Sequence, residues 1–232
     1  MPDAFHIGFL PYADMTQLDM TGPVQVLGGM PGARLHFIGR DMSPIVDDLG
    51  LGFSPTVTMA DCPPLDMICV PGGFGCIALM RDEDVLSWLR KQAESAKFIT
   101  SVCTGSLILA AAGLLQGRRA TSHWAWRDQL ALFGAIPVEE RVVEDGRFIT
   151  GGGVTAGIDF GFRIIERLHG RDVAEVVQLA LEYDPAPLGG GTPVTARPEI
   201  YHMAEAAMGV RGQADRLAEI REIAAARQGG AR

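Results

Sequence analysis

Net positive charge is the first thing missing from this chain. Its 20 lysines and arginines are outnumbered by 28 acidic residues, a balance of −8, which disfavours nonspecific binding to nucleic acid or to an anionic membrane surface. A long apolar run is missing too: the longest, Leu107–Leu115, falls far short of a membrane span. The opening "MPDAFHIGFLPYADM" has no basic leader and is interrupted by Pro11 and Asp14, so no signal peptide is read there. A soluble cytoplasmic protein is expected. Metal-ligand spacing is also absent. Cys62, Cys69 and Cys76 recur every seven residues, but Pro63, Pro64, Pro71, Gly72 and Gly73 lie between them, and there is no CxxC or HxxxH pair. These three read as free thiols or small buried hydrophobes. The glycine-rich "GGGVTAG" (151–157) has neither the GxGxxG spacing of a dinucleotide site nor the lysine of a P-loop. No metal and no organic cofactor is expected.

What the 232 residues do hold is enough apolar side chain, 47%, for one packed α/β domain with an appendage. Four short apolar runs, 5–10, 35–39, 66–70 and 98–102, read as buried parallel strands, because they are continuously apolar and do not alternate. Helical patterns separate them. One opens at Thr21 with Pro23 in its first turn, one covers 82–96 with acids leading, and one follows Cys103 to Gly113. Two hairpin-like insertions are read at 48–59 and at 140–153, the second around Asp145-Gly146. Two more helices precede "DPAPLGGGTPV". The expectation is a flavodoxin-like doubly wound parallel sheet, an α/β/α sandwich, over 1–190, followed by a helical extension over 191–232 that packs on the domain or on a dimer partner.

The chemistry centres on "SVCTG". Cys103 stands where a strand meets a helix, with Ser101 and Gly105 two places to either side. That is the anatomy of a nucleophile elbow, in which small neighbours let strand and helix approach. A helix start at that point is expected to lower the thiol's pKa and to stabilise developing negative charge. The alternative is a plain buried cysteine. At a second strand end, "VPGG" supplies Gly72 and Gly73, whose bare N–H groups could form an oxyanion pocket with that of Thr104, or simply make a turn. At a third, "LDMTGP" places Asp19 to exchange a proton with the thiol, or to cap its helix. The Thr104 hydroxyl bonds the nucleophile or caps its helix. His123 is a base or a packed histidine beside Trp124 and Trp126. Val154 is assigned to the pocket wall. Asp184, before Pro185, is assigned to the substrate side of the site or ends its helix.

In this order, "LDMTGP", "DMICVPGG", "SVCTGSLILAAAGLL", "RRATSHW" and "GGGVTAGIDF" resemble the ThiJ/PfpI superfamily over roughly residues 5–185, and within it the isocyanide hydratase family. Peptidase-like members carry a histidine after the cysteine, and many relatives carry a glutamate where Asp19 stands. The resemblance implies a cofactor-free lyase that hydrates a small-molecule isocyanide to an N-formamide, with Cys103 as nucleophile, and a homodimer. The rival reading is a sensor domain like that of AraC-type regulators, or a redox-switch protein. A regulator needs a DNA-binding module, whereas residues 191–232 carry six arginines (197, 211, 216, 221, 227, 232) against five acids (199, 205, 215, 219, 222). That is about +1, with two helices, less than a helix-turn-helix unit requires.

Overall fold

A computed structural model describes residues 4–210 and 212–229; Arg211 and Arg232, counted in the tail charge, lie outside them. The chain runs β1 (Phe5–Phe9), α1 (Gln17–Gly28), β2 (Ala33–Gly39), β3 (Ile45–Val46), β4 (Gly52–Phe53), β5 (Val57–Thr58), β6 (Met67–Val70), α2 (Cys76–Arg81), α3 (Glu83–Ser95), β7 (Phe98–Val102) and α4 (Gly105–Ala111). It continues through β8 (Arg119–Ala120), a 3-10 helix (Arg127–Phe133), β9 (Ile136–Pro137), β10 (Val142–Asp145), β11 (Phe148–Gly151), α5 (Ala156–His169), α6 (Arg171–Ala180), α7 (Pro198–Val210) and α8 (Gln213–Gly229).

The main sheet has seven strands in the order β10-β11-β7-β6-β1-β2-β5. Every pairing in it is parallel except β10 with β11. The β6 and β7 segments are buried along their whole length, as their unbroken apolar runs require of strands covered on both faces. Helices α1, α5 and α6 pack together as one group, and α2, α3, α4 and α8 as the other. This is the flavodoxin-like α/β arrangement, with a helical extension after it.

Three expectations change. Helix α1 starts at Gln17, not Thr21, so Pro23 sits inside it. The residue preceding it, Thr16, is extended but spends its hydroxyl on Asp48, not on the helix. The 48–59 insertion is a smaller hairpin, with Ile45–Val46 paired to Gly52–Phe53, while β5 joins the main sheet beside β2. The 140–153 hairpin forms around Gly146, whose φ of 66° suits glycine. It is not an insertion, because β11 also pairs with β7 and so belongs to the sheet. Composition marks both arms as β-prone, but only long-range pairing decides which sheet receives them.

Of the extension, α8 buries Ile220, Ile223 and Ala224 against α2, α4 and the 3-10 helix of the same chain, whereas α7 has no buried residue.

Candidate active site

Adjacent strands β1, β6 and β7 end side by side, and each delivers one part of the site. In open α/β sheets this crevice at the strands' C-terminal edge, where chain connections diverge, is where ligands bind. After β7 the chain turns so sharply that Cys103 adopts φ 56°, a left-handed conformation costing about 1–2 kcal/mol for a residue with a Cβ. The turn is over-determined by its surroundings. The Cys103 N–H is shared between the carbonyls of Gly151 (3.1 Å) and Gly152 (2.8 Å). The Cys103 carbonyl accepts the hydroxyls of Ser106 (3.0 Å) and Ser122 (2.9 Å). Two places on, a Cβ at Gly105 would collide with the carbonyl oxygen of Val70, so strand and helix approach as closely as an elbow needs.

Asp19, in the first turn of α1, is fully buried. Its Oδ2 accepts the Gly72 N–H at 2.8 Å, and its Oδ1 receives no hydrogen bond among the described residues. A Cβ on Gly72 would stand 2.7 Å from that carboxylate and 2.5 Å from the Thr104 nitrogen, which is why the loop after β6 needs glycine there. Burial pushes the Asp19 carboxyl up to about 7. The Gly72 N–H and the Cys103 thiol work against that rise, and the Asp48 charge adds to it. A carboxyl that titrates near 7 beside a thiol is equipped to exchange a proton at physiological pH.

The thiol departs from expectation. Cys103 is raised well above the usual thiol range, first by burial and then by the negative charge of Asp19, while the Thr104 N–H pulls it down. The helix that follows has only seven residues, too short a dipole to outweigh full desolvation. Cys103 therefore rests as a thiol with a carboxyl beside it to receive its proton.

The two glycine amides have partners within the protein. Gly72 N–H goes to Asp19, and Gly73 N–H donates to Thr104 Oγ1 at 2.9 Å, while that hydroxyl donates back to the Gly73 carbonyl at 3.1 Å. Thr104 thus ties the β6 loop to the elbow. His123 Nδ1 accepts the Ala125 N–H at 3.3 Å, and burial lowers the ring's pKa, so the imidazole is neutral with its proton on Nε2. Val154 lines the cavity with Cys103 and Thr104. Asp184 does not: it is exposed, in the segment after α6. It does not end its helix either, since α6 stops four residues earlier at Ala180.

The cavity over Cys103 measures about 350 Å³. Sequence reasoning missed much of its wall. Phe74, Ile77 and Trp126 supply apolar surface, Asp48 and Thr16 one rim, and Met208, Gln213 and Arg216 the roof. Arg216 stacks on Phe74, its guanidinium 4.2 Å from the ring centre. Cys76, read as a buried hydrophobe, is buried but shares this cavity with Cys103. Phe74 was within reach of the sequence, being next to the glycine pair. Nothing local signals the roof, which comes from over a hundred residues downstream of the elbow.

Residues 6–167 match the DJ-1/PfpI family profile, and the chain belongs to that family. An isonitrile hydratase of Pseudomonas putida is 54% identical over 194 residues, covering 83% of this chain and 85% of that protein. A solved ThiJ/PfpI family protein from Pseudomonas syringae superposes with a TM-score of 0.89 at 42% identity, over 97% of this chain and 91% of its own. The transcriptional regulator GbdR of Pseudomonas aeruginosa is 29% identical over 187 residues, which is 77% of this chain but only 50% of the regulator.

Proposed function

We propose that the protein is an isocyanide hydratase, a cysteine-dependent lyase that converts R–NC and water to R–NH–CHO. The observation that carries the reading is the buried pair of Cys103, which lines the cavity, and Asp19, whose carboxyl beside that thiol is poised near 7, together with 54% identity to an isonitrile hydratase along most of both chains.

The residues account for each step. As the Cys103 sulfur bonds the terminal isocyanide carbon, Asp19 takes the thiol proton and delivers it to that carbon's lone pair, leaving the thioimidate Cys103–S–CH=N–R. Water then adds to the same carbon, giving one proton to the imidate nitrogen through the regenerated Asp19 carboxylate. The tetrahedral adduct expels sulfur, the hydroxyl proton returns to it, and the formamide leaves. Thr104 and Gly73 hold the loop and elbow in register, Gly72 keeps the Asp19 carboxylate aimed, and Val154 bounds the space for R.

The enzyme acts as a cytoplasmic homodimer. The free thiols of all four cysteines suit a reducing compartment, and among the described residues no helix is long and apolar enough to cross a membrane. Val176 and Leu179 on α6 and Met203 on α7 are exposed apolar side chains of the kind a second copy covers.

A continuous ultraviolet assay on an aryl isocyanide tests the activity. Wild type yields the N-formamide, and Cys103→Ala yields none while its circular dichroism is unchanged. Turnover by the folded alanine variant would refute covalent catalysis.

A further inference from the structure

The catalytic pair does not use every polar group in the cavity. Asp48, in the turn between β3 and β4, lines it as well, and the mechanism above gives that residue nothing to do. The side chain is held in place. Its own N–H donates to the Met15 carbonyl at 3.1 Å, and its Oδ2 accepts the Thr16 hydroxyl at 3.3 Å. The preceding Asp47 stiffens the turn by accepting the N–H groups of Leu49 (2.9 Å) and Leu51 (2.6 Å) on Oδ1. Yet Asp48 Oδ1 has no hydrogen-bond partner among the described residues, although solvent barely reaches it. A carboxylate can accept about four hydrogen bonds, and a shielded, under-bonded one is costly unless a donor arrives.

Its position says which donor. Asp48 and Cys103 line the same cavity from different elements, Asp48 from the turn between β3 and β4 and Cys103 from the end of β7. An isocyanide has no N–H or O–H at its reactive end. A donor that meets Asp48 while the isocyanide carbon meets Cys103 must therefore belong to the substituent R. Beside the polar His123, Gln213 and Arg216, the side chains of Phe74, Ile77, Trp126, Val154 and Met208 give the wall an apolar stretch that fits a hydrocarbon or aromatic body between these two ends.

Resting on the hydratase reading, we infer that Asp48 is a specificity-determining residue, selecting isocyanides whose substituent carries a hydrogen-bond donor on an apolar body. With Oδ2 held by Thr16, a small turn of the carboxylate presents Oδ1 to that donor, and recognition appears mainly in KM.

The test compares 4-(hydroxymethyl)phenyl isocyanide with 4-methylphenyl isocyanide, the 3-substituted isomers of both, and 4-carboxyphenyl isocyanide. Each is run on wild type, Asp48→Asn and Asp48→Ser, with thermal melts to verify folding. Wild type is expected to favour one of the hydroxymethyl isomers over its methyl counterpart by about tenfold or more in kcat/KM, the scale of one hydrogen bond to a charged acceptor. Both variants are expected to bring that ratio down several-fold. An equal ratio in wild type, or one that survives both substitutions, overturns the assignment. A preference for the carboxylate also overturns it, because Arg216 would then be the recognising group. Formamide from none of the five substrates would instead bring down the hydratase reading itself.

Discussion

Thr104 and the Gly73 peptide unit hold each other twice, the amide donating to the hydroxyl at 2.9 Å and the hydroxyl to the carbonyl at 3.1 Å. This reciprocal clasp joins the ends of β6 and β7, so the amide that aims Asp19 and the elbow that presents Cys103 move as one piece. Removing the hydroxyl leaves a buried N–H unsatisfied at a cost of about 1–3 kcal/mol. Thr104→Val should melt at lower temperature than wild type and lose kcat, whereas Thr104→Ser should keep most of both. Equal melting of the valine variant and wild type would show the clasp to be idle.

Asp19→Asn keeps an acceptor for the Gly72 N–H but cannot carry a proton. Turnover should fall by roughly 10²–10⁴, the worth of general acid–base catalysis, in single-turnover as well as steady-state assays.

The same substitution changes how stability responds to pH. The native Asp19 carboxyl titrates near 7 against 3.8 for the ordinary group, so between those values the native state binds more protons than the unfolded chain. Stability must then fall as pH rises from about 4 to about 7, by at most about 1.4 kcal/mol per pH unit from this one group. Above 7 the contribution is constant. Urea melts across that window should give a more negative slope for wild type than for Asp19→Asn; parallel curves would contradict the raised carboxyl.

Cys103 is held in its thiol form by burial and by the Asp19 charge. Iodoacetamide should label it more slowly at pH 7 than a small free thiol, faster as pH rises, and faster in Asp19→Asn than in wild type. Rapid labelling of wild type at pH 7 would mean a resting thiolate.

Ile220 anchors α8 with no solvent exposure, and α8 carries Gln213 and Arg216 over the cavity. Ile220→Ala should cost about 2–5 kcal/mol of stability and raise KM more than it lowers kcat, since the roof loosens while the catalytic pair stays put.

The sheet and the site were legible to different depths in the sequence. Continuous apolar runs located β1, β2, β6 and β7 to within two residues at each end; β6 and β7 are buried throughout, the condition that leaves that mark, while β2 is only part-buried. The start of α1 was missed, because Pro23 looks like a first-turn residue and only the fold places it mid-helix. Around the site, the short-range pattern Ser101-Val102-Cys103-Thr104-Gly105 was readable as an elbow, and Asp19, Thr104, Gly72 and Val154 do gather there. The ionisation of Cys103 was not readable. It depends on total burial and on a carboxylate 84 positions away in the chain, neither of which leaves a local trace. Asp48 and Arg216 escaped notice for the same reason: each reaches the cavity from an element whose own sequence concerns its turn or its helix.

The roof of the cavity leaves the ribosome after every strand of the sheet. A nascent chain that has reached Gly190 already contains every strand, the elbow and Asp19, but lacks Met208, Gln213 and Arg216 of the cavity lining. Only when Gln213 and Arg216 have emerged and Ile220 has docked is the lining of the cavity complete. Translation thus separates two events in time, assembly of the buried Cys103–Asp19 pair and its enclosure by α8.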